Sequence, residues 1–260
     1  FPAFAMITNE IIAQPEYRSD SFKSVRTIVN VGPEDVLIQL QAKMPHTKQI
    51  TVFGMTETGG SVCMGNHELT DAERAQTSGP ALPGNEIEIR DPVTNEKLPP
   101  KTLGEIVARG IGVFSGYHKS PEKNAETFDS DGWFHTGDLG EMTENGEVIF
   151  SGRLKDMLKV GGENVASVEV EGFLSTHTGV KLAAIVGLPD EKYGEVPVAY
   201  IELEEGSEVS EEEIIDYCKG QIASFKIPRH VRFLTEWPMG ATKILKYELR
   251  DKIAREFKKN

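Results

Sequence analysis

The chain has 260 residues, 38% of them hydrophobic and 27% charged, and its 28 basic and 41 acidic residues give a formal net charge of −13. This length suffices for one large or two smaller domains with a real core, and the apolar content excludes a disordered chain. The acidic balance argues against a nucleic-acid partner, because nucleic-acid-binding surfaces are normally basic.

The cysteine count and the absence of long apolar stretches point to the cytoplasm. Cys63 and Cys218 make neither a disulfide framework nor a metal site, which favours a reducing compartment. No stretch approaches the length of a membrane span, and no signal peptide is visible. The chain begins with Phe1 rather than Met, inside a pattern typical of a helix, so we expect a missing segment upstream.

The first 80 residues alternate between helical and strand patterns. Strands are predicted over residues 25–29 and 49–53, and a helix that begins at a proline is predicted over 33–43. This β-α-β order is typical of a parallel sheet.

Residues 81–150 contain short strands separated by turn signals, and the rest of the chain mixes helices with strands. The pattern of residues 81–150 predicts a small β-barrel or sheet, with strands over 86–90, 104–109 and 147–150. From residue 154 onward, helices are predicted over 165–174, 210–222 and 246–258, and strands over 181–188, 196–203 and 229–234. This second pattern predicts an α+β domain.

A Gly/Thr-rich turn follows the predicted strand that ends at Phe53. It contains Gly54, Thr56 and Glu57, and such turns lie at the carboxyl edge of a parallel sheet, where ligands bind. Glycine allows close approach of the backbone to a ligand, and hydroxyl and carboxylate groups can hold phosphate or metal. The alternative is an ordinary tight turn with a surface glutamate.

Three further segments carry groups that suit nucleotide chemistry. Asp138, in Thr136-Gly137-Asp138, can accept hydrogen bonds from the vicinal hydroxyls of a ribose, or it can simply cap a turn. Residues 152–164 are dense in glycine and charge, which indicates either a mobile junction between domains or a solvated linker. Lys243 lies in a Gly/Thr loop and is a reasonable phosphate ligand, or a surface lysine.

Taken in order, these segments resemble the motifs of the adenylate-forming (AMP-binding) enzymes, which include acyl-CoA synthetases, peptide-synthetase adenylation domains and beetle luciferase. The matching segments are residues 53–57, 104–110 with Gly116-Tyr117, 133–138, 152–171 and 238–246. The Ser/Thr/Gly-rich phosphate loop of the family is absent. The resemblance is therefore to the C-terminal portion of such an enzyme, of the acyl-CoA synthetase or fatty-acid–CoA ligase type.

The resemblance implies an α/β plus α+β fold in two domains. Residues 1–152 would be the C-terminal part of the large AMP-binding domain, with an α/β sheet piece over 1–80 and a β-barrel-like subdomain over 81–152. Residues 153–260 would be a mobile C-terminal α+β domain with its hinge at 153–156.

The same resemblance implies an ATP-dependent carboxylic acid–CoA ligase of fatty acid metabolism. It would form acyl-AMP and then acyl-CoA, by domain alternation, from a fatty, alicyclic or aromatic acid, and the 260-residue piece alone would be inactive. Two alternatives stay open: a catalytically incomplete fragment that serves only as a nucleotide- or CoA-binding module, and an adenylation domain serving another thiol acceptor. The implied partners are small molecules, and a homo-oligomer is left open.

The implied cofactors and co-substrates are ATP/AMP, Mg²⁺ and coenzyme A. The implied residue roles are Glu57 as the magnesium ligand, Thr56 as a phosphate contact, Phe53 and Gly54 beside the nucleotide, Asp138 and Arg153 on the ribose, Lys243 as the catalytic lysine, Lys155 as the hinge, and Gly161 and Gly162 lining the pantetheine channel. In the lysine loop Thr242 directly precedes Lys243, where the family usually has glycine, and the loop is one residue shorter.

Overall fold

The computed structural model describes residues 2–240 and 243–257, and the chain divides into two units, Phe1–Leu154 and Lys155–Asn260. The helices are α1 (Ala5–Ile12), α2 (Glu34–Lys43), α3 (Asp71–Gln76), α4 (Pro121–Thr127), α5 (Ser167–Leu174), α6 (Glu211–Cys218) and α7 (Lys246–Phe257). The strands of the first unit are β1 (Pro2–Phe4), β2 (Thr27–Val31), β3 (Lys48–Ile50), β4 (Val52–Phe53), β5 (Cys63–Met64), β6 (Asn85–Arg90), β7 (Gly104–Gly110), β8 (Phe134–Met142) and β9 (Val148–Arg153).

Strands β1, β2 and β3 form a parallel sheet, which confirms the predicted β-α-β pattern. Helix α2 begins directly after Pro33, and Glu34 and Asp35 place negative charge in its first turn, which the helix dipole favours. The strand predicted over 49–53 is divided at Thr51 into β3 and β4, which belong to different sheets. Thr51 is buried; its hydroxyl donates to the Thr77 carbonyl at 2.6 Å, and its own carbonyl accepts from the Gly65 amide at 2.8 Å, so both groups are satisfied outside the two ladders.

Strands β6 to β9 form an antiparallel sheet in the order β6-β7-β8-β9. Of the two predicted forms the sheet is confirmed and the small β-barrel is wrong, because within the described residues β6 and β9 are edge strands that do not pair with each other. Closing a barrel requires a matched tilt and stagger of the strands, which four short strands do not supply here. One face of this sheet buries Ile87, Ile89, Ile106 and Val148 in a core.

The second unit is built on an antiparallel sheet with one parallel strand at its edge. Its strands are β10 (Met157–Val160), β11 (Glu163–Ala166), β12 (Val180–Asp190), β13 (Gly194–Leu203) and β14 (His230–Phe233), in the order β11-β10-β13-β12, with β14 parallel beside β13. Alternate side chains of the long hairpin β12–β13 enter two cores, one against α5 and α6 and one against α7.

The predicted capping box of helix α6 is confirmed. The Ser210 hydroxyl accepts from the Glu213 amide at 3.2 Å, and the Glu213 carboxylate accepts from the Ser210 amide at 2.8 Å. The helix ends at Cys218, before the predicted residue 222. None of the helices in the described part of the chain has the length and apolar character that a bilayer crossing requires.

Candidate nucleotide and acyl-transfer site

Glu57 lies in a single turn of 3-10 helix, Thr56–Thr58, which follows β4. Its Oε1 accepts a hydrogen bond from the Tyr117 hydroxyl at 2.9 Å, and its carbonyl accepts from the Phe114 amide at 2.8 Å. Burial, followed by the hydrogen bond to Glu57, raises the pKa of Tyr117, so the phenol stays protonated at neutral pH and donates. The glutamate is thus held in one orientation beside the exposed Thr56.

Phe53, the last residue of β4, and Gly54, which follows it, have different surroundings. Gly54 is exposed and packs so closely on the next turn that a Cβ there would lie 1.9 Å from the Gly60 carbonyl oxygen. Phe53 is only 5% exposed and its ring stacks on Phe150, with centroids 6.0 Å apart. That exposure is small for a ring that stacks on a ligand, so the adenine contact predicted for Phe53 stays a prediction.

Asp138 and Arg153 are direct partners in the register of β8 and β9. Opposed residues of an antiparallel pair place their side chains on the same face, and Arg153 Nε lies 3.1 Å from Asp138 Oδ1. The Asp138 side chain is 6% exposed and that of Arg153 is 39% exposed. The pair therefore places a nearly desolvated carboxylate beside a guanidinium that water reaches, which suits a polar ligand with hydroxyl donors.

Strand β8 has a bulge at Asp138. Leu139 of β8 pairs with Glu105 of β7, and His135 pairs with Val107. Residues 136–138 of β8 therefore lie opposite the single residue Ile106. Buried Glu105 accepts from the Gly137 amide at 2.9 Å through Oε1, and its Oε2 lies 2.8 Å from His135 Nδ1. The bulge is therefore fastened by a carboxylate from the neighbouring strand.

Lys155 lies in the next 3-10 turn, Leu154–Asp156, and is exposed. Gly161 and Gly162 form the two-residue turn between β10 and β11, since Val160 pairs with Glu163. Both glycines have positive φ, 60° and 92°, as a type I′ hairpin turn requires. This turn explains both glycines without a ligand, and the pantetheine channel stays a prediction.

Lys243 is exposed and lies on a loop that backbone hydrogen bonds close. The Gly240 amide donates to the Lys243 carbonyl at 2.8 Å, and the Leu245 amide donates to the Pro238 carbonyl at 2.7 Å. Thr242, which the sequence analysis singled out, lies outside the described residues.

A polar cluster that sequence reasoning missed fixes the C-terminal end of this loop. Lys246, the first residue of α7, lies 2.6 Å from Glu171 Oε1 and donates to the Ser167 hydroxyl at 2.9 Å. Glu171 also accepts from the Ile185 amide at 2.7 Å. Burial raises the pKa of Glu171, and the ammonium of Lys246 opposes that shift.

Glu57 is the residue best suited to share a metal ion with a phosphate. Mg²⁺ typically binds through one or two carboxylates together with substrate phosphates. Within the described residues there is no group of three or more His, Cys, Asp or Glu side chains that could hold a metal alone. A single fixed carboxylate beside a threonine fits Mg²⁺ that arrives with a nucleotide.

The comparisons with known proteins define the class of this chain. The family profile described as AMP-binding enzyme matches residues 2–118, and the profile described as AMP-binding enzyme C-terminal domain matches residues 169–244. Together the two profiles cover most of the chain. The chain belongs to the AMP-binding, adenylate-forming enzymes, which confirms the resemblance of its motifs.

Several relatives carry the names of acyl-CoA synthetases or ligases. YngI of Bacillus subtilis (strain 168), an acyl-CoA synthetase by its name, is 38% identical over 248 residues, which cover 94% of this chain and 45% of that protein. The medium-chain acyl-CoA ligase ACSF2, mitochondrial, of Rattus norvegicus is 35% identical over 253 residues, which cover 96% of this chain and 41% of that protein. The chain thus spans somewhat less than half of these relatives.

A solved structure shares the fold over nearly the whole chain. ATP-bound MatB from Rhodopseudomonas palustris aligns with a TM-score of 0.88 at 30% identity, covering 98% of this chain and 51% of that one. The mixed α/β fold class predicted from the sequence is confirmed.

Proposed function

We propose that the protein is an ATP-dependent carboxylic acid–CoA ligase that forms an acyl-adenylate and then an acyl-CoA. The observation that carries the proposal is the Asp138–Arg153 pair, set on adjacent strands of a chain that belongs to the AMP-binding enzymes. The names of the relatives support the acid–thiol ligase over other members of the family. The acid is proposed to be fatty, alicyclic or aromatic, and the protein to be cytoplasmic.

Asp138 is proposed to accept hydrogen bonds from the two ribose hydroxyls of ATP. A carboxylate has acceptor sites only, so it matches a pair of hydroxyl donors, and Arg153 at 3.1 Å holds it in place. Because the carboxylate is nearly desolvated, each hydrogen bond to the ribose is stronger than it would be in water.

The first half-reaction joins two anions. The substrate carboxylate attacks the α-phosphorus of ATP, the bond to the β-phosphate oxygen breaks, and pyrophosphate leaves. The resemblance assigns Lys243 to this step, where its ammonium would lie against both the attacking carboxylate and the α-phosphate and reduce their repulsion. Thr56 would donate to a phosphate oxygen. Mg²⁺, held by Glu57, would supply charge neutralisation of the phosphates.

In the second half-reaction the thiol sulfur of coenzyme A forms a bond to the acyl carbon, and AMP leaves. The thiol proton passes to solvent or to the departing phosphate. The pantetheine arm is proposed to lie beside Gly161 and Gly162, and Lys155 is proposed to be the hinge.

Carboxylate-dependent exchange of pyrophosphate into ATP tests the proposal. The assay uses the full-length encoded protein with medium-chain, alicyclic and aromatic acids, followed by detection of the CoA thioester. We expect exchange with at least one acid, and loss of exchange in Asp138→Asn. Glu144→Gln is the matched control, since Glu144 is an exposed acid of the same unit that pairs with Lys101. Thioester formation without any adenylate would contradict the proposal.

The first alternative is a nucleotide- or CoA-binding module that performs no chemistry. It predicts that the protein binds ATP or CoA in calorimetry, yet supports no exchange with any acid. The alternative thiol acceptor predicts normal exchange but no acyl transfer to free coenzyme A. The same two assays therefore separate the three functions.

A further inference from the structure

The bulge that presents Asp138 is held by Glu105, which lies outside the predicted site residues. Glu105 lies on β7, it is 6% exposed, and it does not reach Arg153 or Glu57 in any described contact. A buried carboxylate costs free energy unless hydrogen bonds satisfy it. Glu105 receives those contacts from β8, at Gly137 and His135.

Residues 136–138 of the bulge face the single residue Ile106 of β7, and two of their backbone amides bond to side chains. Glu105 Oε1 accepts from the Gly137 amide at 2.9 Å. The Thr136 hydroxyl accepts from the Asp138 amide at 3.0 Å and donates to the Ile106 carbonyl at 2.6 Å. Both amides are therefore satisfied by side chains, one from each strand.

We propose that Glu105 is a positioning residue for nucleotide recognition: it fixes the bulge of β8 so that the Asp138 carboxylate meets the ribose hydroxyls of ATP. The inference rests on the proposed function and deepens it, because it assigns the selection of a ribonucleotide to a residue that does not touch the nucleotide. Loss of Glu105 leaves the half-buried Gly137 amide without its side-chain acceptor, so the bulge shifts and carries Asp138 with it.

The readout is the ratio of kcat/KM for ATP to that for 2′-deoxyATP in pyrophosphate exchange, measured on the full-length protein. A hydrogen bond to a charged acceptor predicts that the parent prefers ATP by about 10- to 100-fold. We expect Glu105→Ala to lower this preference to about threefold or less. Glu105→Gln, whose side-chain carbonyl still accepts from the Gly137 amide, should retain most of it.

The control is Glu88→Ala, on β6 of the same sheet, which removes ion pairs with Arg90 and Lys97 but no contact with the bulge. It should keep the parental preference whatever it does to the melting temperature. Because Glu105 acts through Asp138, adding Glu105→Ala to Asp138→Ala should not lower the preference further.

The outcomes distinguish the role of Glu105 from the ribose contact of Asp138. If Asp138→Ala abolishes the preference while Glu105→Ala keeps it and only lowers the melting temperature, the role of Glu105 is overturned and the proposed function stands. If Asp138→Ala keeps the preference, the ribose contact itself is wrong. Should Glu105→Ala fail to fold, Glu105→Asp withdraws the carboxylate from the Gly137 amide by one methylene while keeping its charge, and an unchanged preference in that variant overturns the proposal.

Discussion

At the scale of single residues, Lys243 combines an exposed ammonium with a fixed backbone. Its carbonyl is bonded to Gly240, and three residues later Lys246 is anchored to Glu171 and Ser167. The long side chain is free to reach a ligand while its point of attachment is held. This combination suits a lysine that contributes charge to a reaction.

Replacing Lys243 by alanine should therefore suppress adenylation far more than thioester formation. Loss of a single charge that stabilises the transition state costs about 10²–10³ in rate. We expect that loss in pyrophosphate exchange, and a change of less than about threefold in thioester formation from preformed acyl-AMP. Lys252→Ala, an exposed lysine of α7, is the control. Equal losses of rate in the two half-reactions would contradict the role of Lys243 in adenylation.

At the scale of elements, the hairpin β10–β11 offers a test of whether its glycines do more than turn the chain. Asparagine tolerates the left-handed conformation that Gly161 adopts, so Gly161→Asn keeps the turn and adds a side chain. We expect slower thioester formation with little change in melting temperature. Gly206→Asn, at φ 77° in a loop of the same unit, is the matched control. Normal thioester formation in Gly161→Asn would show that the glycines serve only the hairpin turn.

The 3-10 turn Leu154–Asp156 carries the predicted hinge. Lys155→Pro fixes φ at position 155 and restricts the residue before it, so it should block thioester formation while adenylation continues. Lys155→Ala removes the same charge but leaves the backbone free, and it should keep both half-reactions. Measuring the two half-reactions separately decides the point, since normal thioester formation in the proline variant would exclude a hinge here.

At the scale of the whole molecule, each unit buries one thiol whose ionisation links stability to alkaline pH. Burial raises the pKa of Cys63 to about 12 and that of Cys218 to about 11, against 9.0 for a free thiol. The unfolded chain therefore releases these protons first. Stability from the neutral thiols is complete below pH 9 and is lost as the pH rises toward those values.

We expect the free energy of unfolding to fall above pH 9, by about 1.4 kcal/mol per pH unit for Cys63. Urea denaturation at pH 8, 9 and 10 measures the slope. Cys63→Ala should begin less stable, because it leaves a cavity, but should lose less stability over this range. An equal slope in variant and parent would contradict the coupling.

Much of the site can be read from the sequence because its parts are local. The turn with Glu57, the Thr136-Gly137-Asp138 segment and the lysine loop are each recognisable from a few consecutive residues. Their order along the chain identifies the family, which the profiles confirm. The capping box at Ser210 and Glu213 is local in the same way, and its hydrogen bonds form as predicted.

The rest depends on register between strands that are distant in sequence. The open sheet β6–β9 differs from the predicted barrel because closure is set by how edge strands meet, which short strand patterns do not encode. The contact of Glu105 with Gly137 requires a two-residue bulge that no periodicity reveals. Glu105 lies in the segment 104–110 that resembles a family motif, and a glutamate beside apolar strand residues is the available signal.

The bulge also has a consequence for the order of folding. Glu105 and Gly137 are 32 residues apart, and the segment between β7 and β8 must close before the carboxylate meets its amide. Contacts of this separation form late relative to local turns and helices. A refolding chain should thus regain its helical signal before it can distinguish a ribonucleotide, because the site matures only when the two strands have found their register.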